Sequence, residues 1–219
     1  MTYKYVIDKR FNTDVIRSDR VLEIAEAFGL GLDNREFVIF DNQPIEVEQG
    51  DVIYITGQSG SGKSILLREL SSKMSEKGLQ VSDIDGVEFK DEPLINQIGK
   101  STQEALEILS IAGLNDAYLY IRKPQELSDG QKYRFKLAKL IESKAQVWVA
   151  DEFLAVLDRV TARVIAFNMQ KVARRVKATL IVATTHLDMV DDLAPNIYIE
   201  KRYREKIHIV TSPEGYKLK

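Results

Sequence analysis

Eight consecutive residues have the types and the spacing that phosphate binding requires. They fit the P-loop pattern G-x-x-x-x-G-K-[ST] at every fixed position: Gly57, Gln58, Ser59, Gly60, Ser61, Gly62, Lys63 and Ser64. Glycines let the backbone wrap closely around a phosphate, and the N–H groups at the helix N-terminus attract the anion. In this chemistry Lys63 reaches the β- and γ-phosphates and the Ser64 hydroxyl is a ligand of Mg²⁺, with Ile65 next in the nucleotide-contacting segment.

Three further polar residues follow apolar runs downstream. Asp151 and Glu152 come directly after the run at 147–150, and His186 comes shortly after the run at 179–184. Asp151 is the expected partner of Mg²⁺, and Glu152 could orient the attacking water or take its proton. His186 could donate a hydrogen bond to the γ-phosphate. Their alternative interpretations are a solvated acidic turn and an ordinary surface or core histidine.

The elements that must position these residues alternate between strand and helix after residue 50. The P-loop follows an apolar strand, 51–56, and precedes a helix that ends near Gly78. Such alternation predicts a parallel sheet with right-handed crossovers, whose carboxyl ends carry the ligand site. The other predicted elements are strands at 79–84, 147–150 and 179–184, and helices at 102–114, 132–143 and 158–176.

The remaining segments predict a second kind of structure. Short apolar runs before the P-loop predict strands and an antiparallel layer, at 3–7, 21–25, 37–40 and 45–47. The tail from Ile197 alternates apolar and charged residues, which is typical of antiparallel edge strands.

Composition places the chain among ordinary globular proteins. It has 219 residues, a net charge of −2 and no cysteine, which argues against a disulfide framework and against nucleic-acid binding by bulk charge. No apolar run reaches the length of a membrane span, and no signal-peptide core is present at the N-terminus. We therefore expect a single cytoplasmic domain.

In five elements, in this order, the sequence resembles the ATP-binding cassette (ABC) ATPases. They are the P-loop, the signature Leu127-Ser128-Asp129-Gly130-Gln131, the pair Asp151-Glu152, the loop Leu154-Ala155-Val156-Leu157-Asp158, and His186. The signature, usually L-S-G-G-Q, separates this family from other P-loop proteins. The resemblance implies an α/β P-loop NTPase fold: a RecA-like, mostly parallel core (51–84 and 144–219), an N-terminal antiparallel β layer (1–50), and a reduced α-helical subdomain with the glutamine loop and the signature (85–143).

The resemblance also implies an ATP-dependent homodimer with two ATP molecules, each with Mg²⁺, at a head-to-tail interface. Ser128, Gly130 and Gln131 would then act on the γ-phosphate held by the partner's P-loop, and Asp158 would couple the two sites. Phe28 stands where the family has an aromatic residue that stacks on adenine. Phe37 and Phe40 are rivals for that role, although core packing suits them better.

The sequence departs from the family pattern in the signature and in the length of the helical subdomain. Asp129 replaces the second signature glycine, and its carboxylate should repel a triphosphate unless it points away. The segment between the P-loop and the signature is short, so its helical subdomain should be small, which weakens a transporter assignment. Gln97 is the best candidate for the glutamine-loop ligand of Mg²⁺, and Gln103 is the alternative.

The leading hypothesis is a soluble ABC ATPase whose dimerisation drives an unidentified protein partner. The exact residues of the motifs resemble those of a subgroup of soluble ABC ATPases, some of which are fused to acetyltransferase-like domains. The alternatives are the ATP-binding subunit of a membrane transporter and an ATPase that acts on nucleic acid. The last has only weak support, from two basic runs that otherwise suit solvated faces: Lys171, Arg174, Arg175 and Lys177, and Lys201, Arg202, Arg204 and Lys206.

Overall fold

The computed structural model describes residues 2–203 and 205–217. This part of the chain divides into two compact units. One is Val6–Ile45, and the other comprises the remaining described residues. The motifs from the P-loop to His186 all lie in the second unit.

The N-terminal segment contains two long strands and a helix. Strands β1 (Thr2–Thr13) and β2 (Arg35–Glu48) pair in a two-stranded sheet, and helix α1 spans Asp19–Phe28. The runs at 37–40 and 45–47 are therefore parts of one strand. Pro44 lies within β2, where a two-stranded sheet leaves one edge that needs no N–H donor.

The predicted strand at 21–25 is wrong, because these residues belong to α1. The boundaries of this helix explain the error. Asp19 places a negative charge in the first turn, and Gly29 closes the helix at φ 62°, a left-handed conformation that glycine adopts readily. Five mixed residues cannot distinguish a strand from a short helix when these end signals are overlooked.

A six-stranded sheet forms the centre of the second unit. Its strands are β3 (Val52–Thr56), β4 (Val81–Asp83), β5 (Val147–Ala150), β6 (Thr179–Thr184), β7 (Ile197–Glu200) and β8 (His208–Thr211). Their order is β4-β5-β6-β3-β7-β8, and all neighbours are parallel except β7 and β8. Every residue of β3, β5 and β6 is buried, as continuous apolar runs predict for strands covered on both faces.

The tail differs from its prediction in one strand. β7 pairs in parallel with β3, with Ile53 opposite Ile197, and only β8 is antiparallel. Ile197, Tyr198 and Ile199 are all buried, so β7 is an internal strand rather than an edge strand. Strand direction here depends on how the chain crosses the sheet, which local alternation does not record.

Six helices of the second unit surround this sheet or join its strands within the described residues. They are α2 (Lys63–Glu76), α3 (Thr102–Ile111), α4 (Ala117–Tyr120), α5 (Asp129–Glu142), α6 (Arg159–Val176) and α7 (Val190–Leu193). Between α2 and α5 the helical structure amounts to α3, α4 and single 3₁₀ turns, and α3 packs against α5. Among the helices described, none has both the length and the apolarity that crossing a membrane demands.

Candidate functional site

The P-loop joins β3 to α2 in a conformation that its glycines make accessible. Gly57, Gly60 and Gly62 have φ values of 142°, 73° and 102°, which side chains disfavour. Gly62 precedes the first helical residue, and no side chain caps the helix there. The N-terminus of α2 therefore keeps its N–H groups for an anion.

The P-loop passes close to the backbone that follows β7. A Cβ atom on Gly57 would lie 1.9 Å from the carbonyl oxygen of Lys201. The Lys201 N–H donates to the Thr56 carbonyl at 2.8 Å. The Lys201 side chain is buried, and its Nζ donates to the carbonyls of Arg202 (2.8 Å) and Glu205 (2.6 Å). The first residue of the motif is thus a glycine because of this contact.

Lys63 connects the P-loop to the acidic pair. Its Nζ donates to the Gln58 carbonyl at 2.8 Å. Burial lowers the pKa of Lys63, whereas the nearby charges of Asp151 and Glu152 act in the opposite direction. The structure therefore brings together the P-loop and the carboxylates after β5, as the parallel sheet predicts.

One P-loop atom is available for a ligand. The Ser61 hydroxyl is buried and has no hydrogen-bond partner among the described residues. A buried hydroxyl without a partner costs free energy, which a ligand within the loop would recover. The side chains of Gln58, Ser59 and Ser64 are exposed or partly exposed around it, as is that of Ile65.

Asp151 and Glu152 lie in a tight turn after β5. The Asp151 Oδ1 atom accepts from the Glu152 N–H at 2.9 Å, and Glu152 has a φ of 46°. The next two N–H groups donate to the Ala183 carbonyl and the Tyr133 hydroxyl, each at 2.9 Å. This left-handed conformation is held by hydrogen bonds on both sides, and such constrained positions cluster at functional sites.

His186 lies beyond the carboxyl end of β6, the strand between β3 and β5. Its backbone is fixed on two sides: the Tyr54 hydroxyl donates to its carbonyl, and its N–H donates to Thr184 Oγ1 at 3.2 Å. Burial raises the pKa of Tyr54, so that hydroxyl remains a donor. Three adjacent strands thus end at the P-loop, the acidic pair and His186.

The described acidic residues near the P-loop do not form a metal site by themselves. Within residues 2–203 and 205–217 there is no cluster of three His, Cys, Asp or Glu side chains that could bind a metal by itself. Mg²⁺ is commonly held by one or two carboxylates together with substrate phosphates and waters. Ser64, next to Lys63, and Asp151, whose charge acts on Lys63, are the hydroxyl and the carboxylate that such a site would use.

The last three signature residues lie in the first turn of α5, and Ser128 is the N-cap of this helix. The helix starts at Asp129, three residues before the predicted start at Lys132. Ser128 and Gln131 form a capping box, because Ser128 Oγ accepts from the Gln131 N–H (3.3 Å) and Gln131 Oε1 accepts from the Ser128 N–H (2.9 Å). A Cβ on Gly130 would meet Leu157 at 3.1 Å, so a larger residue would press on the loop before Asp158.

Asp129 points away from the protein. Its side chain is 93% exposed, and Lys132 Nζ is 3.9 Å from it. As a first-turn carboxylate it also interacts favourably with the α5 dipole. Asp158 is the N-cap of α6. Its Oδ1 atom accepts from the Thr161 N–H at 2.9 Å, and the hydrogen bonds from Thr161 lower the pKa of Asp158.

The Gln97 side chain, the predicted glutamine-loop ligand, makes its contacts within its own loop. This side chain is buried, its Oε1 accepts from the Lys90 N–H at 3.0 Å, and its Nε2 donates to the carbonyls of Lys90 and Glu92. Both Nε2 hydrogens and one lone pair of Oε1 are therefore engaged in shaping the 90–97 loop. Gln103 lies on α3 and donates to Glu107 at 3.2 Å.

The aromatic candidates belong to the other unit and differ in exposure. Phe28 is the last residue of α1 and is 72% exposed, and Phe37 is 49% exposed. Phe40 is buried, in agreement with a packing role.

Several residues near the site carry no motif in the sequence. Asp83 ends β4, beside β5, and burial raises its pKa together with the charges of Asp85 and Asp151. Arg159 and Asp188 form an ion pair beside His186. No motif marks Asp83 and Asp85 in the sequence. They lie here because β4 pairs in parallel with β5, so the carboxyl end of β4 is next to the end of β5 that carries Asp151.

Known proteins share stretches of this sequence and its fold. The family model described as adenylylsulphate kinase matches residues 49–113, the segment around the P-loop. The methionine import ATP-binding protein MetN of Clostridium tetani is 28% identical over 81% of this chain and 68% of its own length. The cytochrome c biogenesis ATP-binding export protein CcmA of Zymomonas mobilis is 28% identical, over 70% of this chain and 75% of its own length.

The chain spans about three fifths of some of these relatives, such as 57% of the Oenococcus oeni MetN 1 protein. Among solved structures, the dimeric post-hydrolysis state of the ATP-binding cassette MJ0796 bound to ADP and Pi has a TM-score of 0.64 at 16% identity. That alignment covers 96% of this chain and 98% of the other. The order of the motifs agrees with these matches: the chain is similar in sequence to ATP-binding proteins of the ATP-binding cassette (ABC) type, and it shares the fold of solved ABC cassettes.

Proposed function

We propose that the chain binds Mg²⁺-ATP in the P-loop and hydrolyses it at the interface of a head-to-tail homodimer. The observation that carries this proposal is the convergence of the P-loop, Asp151-Glu152 and His186 at the ends of three adjacent strands. The relatives whose names include ATP-binding, and the dimeric structures that share the fold, support it.

The residues have distinct tasks in this reaction. Lys63 exchanges the Gln58 carbonyl for phosphate oxygens, and the backbone from Gly57 to Gly62 surrounds the phosphates. Ser64 and Asp151 would hold Mg²⁺, which would neutralise charge on the phosphates when bound. Glu152 orients a water and takes its proton as the water oxygen bonds to the γ-phosphorus and the bond to ADP breaks. His186 donates to the γ-phosphate.

The second copy completes the site. Ser128, Gly130 and Gln131 offer a hydroxyl, N–H groups and the N-terminus of α5 to the γ-phosphate bound by the partner chain. Asp158 lies one residue before α6, and its neighbour Leu157 lies against Gly130, so Asp158 would respond to closure at both sites. Phe28 would stack on adenine.

The decisive experiment uses Glu152→Gln. This variant should bind ATP and remain a stable dimer, because the site closes but the water is no longer activated. Size-exclusion chromatography with light scattering, with and without Mg²⁺-ATP, measures it. The control is Glu107→Gln, an equal change on α3 away from the site, which should return to monomer as ATP is consumed. A monomeric Glu152→Gln chain at high protein and ATP concentrations would contradict the sandwich dimer.

We further propose that ATP-driven dimerisation acts on a protein partner, and two classes of partner have support. A membrane transport protein is favoured by the relatives named for import and export. A soluble partner is favoured by the small helical segment between the P-loop and the signature. Capture of Glu152→Gln with ATP from detergent-solubilised membranes and from the soluble fraction separates them, because the partner should appear in one fraction only.

A further inference from the structure

Two ion pairs connect α6 to the segment that follows His186. Arg159 and Asp188 form a bidentate pair, with Arg159 Nε 2.7 Å from Asp188 Oδ2 and a second contact from Nη2 to Oδ1. One helical turn later, Arg163 Nε lies 2.7 Å from Asp192 Oδ2. The pairs repeat with a spacing of four residues on both sides, so they form a two-step ladder between α6 and the region of α7.

The first step of this ladder joins two loops of the proposed reaction. Arg159 is the residue directly after Asp158, and Asp188 lies two residues after His186. On the other side, the Tyr54 hydroxyl from the P-loop strand donates to the His186 carbonyl. The segment 186–188 is therefore held by β3 at His186 and by the first turn of α6 at Asp188.

The two contacts fix the orientation of this pair more firmly than the single contact of an ordinary surface salt bridge does. Exposed pairs usually contribute little, but bidentate arginine–carboxylate contacts are an exception because both groups are fixed in orientation. The Nη1 atom of Arg159 is buried and has no hydrogen-bond partner among the described residues, so Asp188 is the partner that orients the guanidinium. The guanidinium also holds the pKa of Asp188 below its usual range.

We propose that Arg159 and Asp188 are positioning residues that couple the loop carrying Asp158 to the loop carrying His186. A shift of the 154–158 loop, produced when a second chain docks, is passed through the pair to the histidine of the same chain. The pair thus ties hydrolysis at one site to the presence of the partner. This inference rests on the proposed function, because it assigns His186 and Asp158 their tasks there.

The test compares Arg159→Gln and Asp188→Asn with Arg163→Gln, which removes the second step and leaves the first. Arg159→Gln and Asp188→Asn should each lower kcat by roughly tenfold to a hundredfold, because small misplacements of catalytic groups have effects of this size. The Kd for ATP should stay within about twofold, since the P-loop is intact. The double variant should be no worse than either single one. Arg159→Lys keeps the charge but loses the bidentate contact, so its kcat should lie between those of the unmodified chain and Arg159→Gln.

A second measurement does not depend on hydrolysis. The chain has two histidines, so histidine-labelled protein gives imidazole NMR signals for His186 and for His208, an internal reference on β8. Arg159→Gln should shift the His186 signals alone, and Arg163→Gln should leave both in place. An unmoved His186 signal in Arg159→Gln, or an equal shift in Arg163→Gln, would overturn the coupling. Absence of ATP hydrolysis by the unmodified chain would instead refute the proposed function.

Discussion

At the residue scale, Lys63 is the P-loop side chain that we propose to contact the phosphates. Its ammonium group donates to the P-loop's own Gln58 carbonyl, and burial lowers its pKa while two carboxylates lie nearby. The loop is thus already closed around the amine that would meet the phosphates. Such preorganisation reduces the entropy that is lost on binding.

Lys63→Ala should therefore weaken ATP binding by about tenfold to a hundredfold, because a charge-assisted hydrogen bond contributes roughly 1.5–3 kcal/mol. Isothermal titration calorimetry measures the change. Lys73→Ala, at the other end of α2, is the matched control and should bind normally. Unchanged affinity in Lys63→Ala would contradict the P-loop assignment. Trp148, the one tryptophan in the sequence and fully buried, reports by its emission that both variants are folded.

Prediction at this scale succeeded where a motif fixes the local backbone. The P-loop and the acidic pair come together because parallel strands expose their carboxyl ends at one edge. Gln97 shows the limit. Its identity suggested a ligand, but its amide pairs with Lys90 and Glu92 backbone groups, and a sequence does not reveal which partners an amide will find.

At the scale of elements, the P-loop packs against a segment remote in sequence, the backbone that follows β7. Gly57 approaches the Lys201 carbonyl, whereas a Cβ on Gly60 would meet no atom within 4 Å. Both glycines have positive φ, so both pay for a left-handed conformation when replaced.

We expect Gly57→Ala to lower the free energy of unfolding by about 3 kcal/mol or more, because backbone atoms must move. Gly60→Ala should cost about 1 kcal/mol, the conformational term alone. Urea unfolding without nucleotide, followed by Trp148 emission, measures both values. Equal losses in the two variants would mean that the contact with Lys201 is unimportant.

The N-terminus of α5 allows the proposed trans role to be separated from helix capping. Ser128→Arg should abolish hydrolysis and leave ATP binding intact, but it also removes an N-cap that contributes about 1 kcal/mol of stability. Ser101 caps α3 in the same manner, with Oγ accepting from the Glu104 N–H at 3.2 Å. Ser101→Arg should lose similar stability and keep its ATPase rate. Full activity of Ser128→Arg would remove the signature from the reaction.

The errors among the elements share one origin. The run from Val21 to Ala25 is helical because of Asp19 and Gly29 at its ends, and β7 is parallel because the chain crosses back over the sheet. In both cases the composition of the run was compatible with two structures. The buried strands β5 and β6 were predicted correctly, because only burial on both faces suits four to six apolar residues in succession.

At the scale of the whole molecule, the charge distribution bears on the choice of partner. The two basic runs are partly used within the fold. Arg174 donates to Gln170 and to the Ala194 carbonyl, Lys201 is buried, and Arg202 pairs with Glu200. Arg204 lies outside the described residues. These contacts reduce the cationic surface that the sequence suggested.

We therefore expect non-specific binding to duplex DNA to be weaker than about 100 µM at physiological salt, the weak end of the usual range. Fluorescence anisotropy with a labelled duplex, with and without Mg²⁺-ATP, measures it. The same titration at low salt is the control that reveals purely electrostatic attraction. Tight, ATP-dependent binding at physiological salt would revive the nucleic-acid alternative.

The contact between Gly57 and the segment after β7 also bears on how this protein could be divided. A fragment that stops at Glu200 would retain the P-loop, the signature, the acidic pair and His186, every element by which the family is recognised. It would lack the Lys201 carbonyl beside Gly57 and the buried ammonium that anchors the turn to Glu205. Grafting the motifs into another protein would therefore transfer the site residues without the backbone that packs against Gly57. The smallest fragment that keeps this contact extends beyond β7 and includes Lys201.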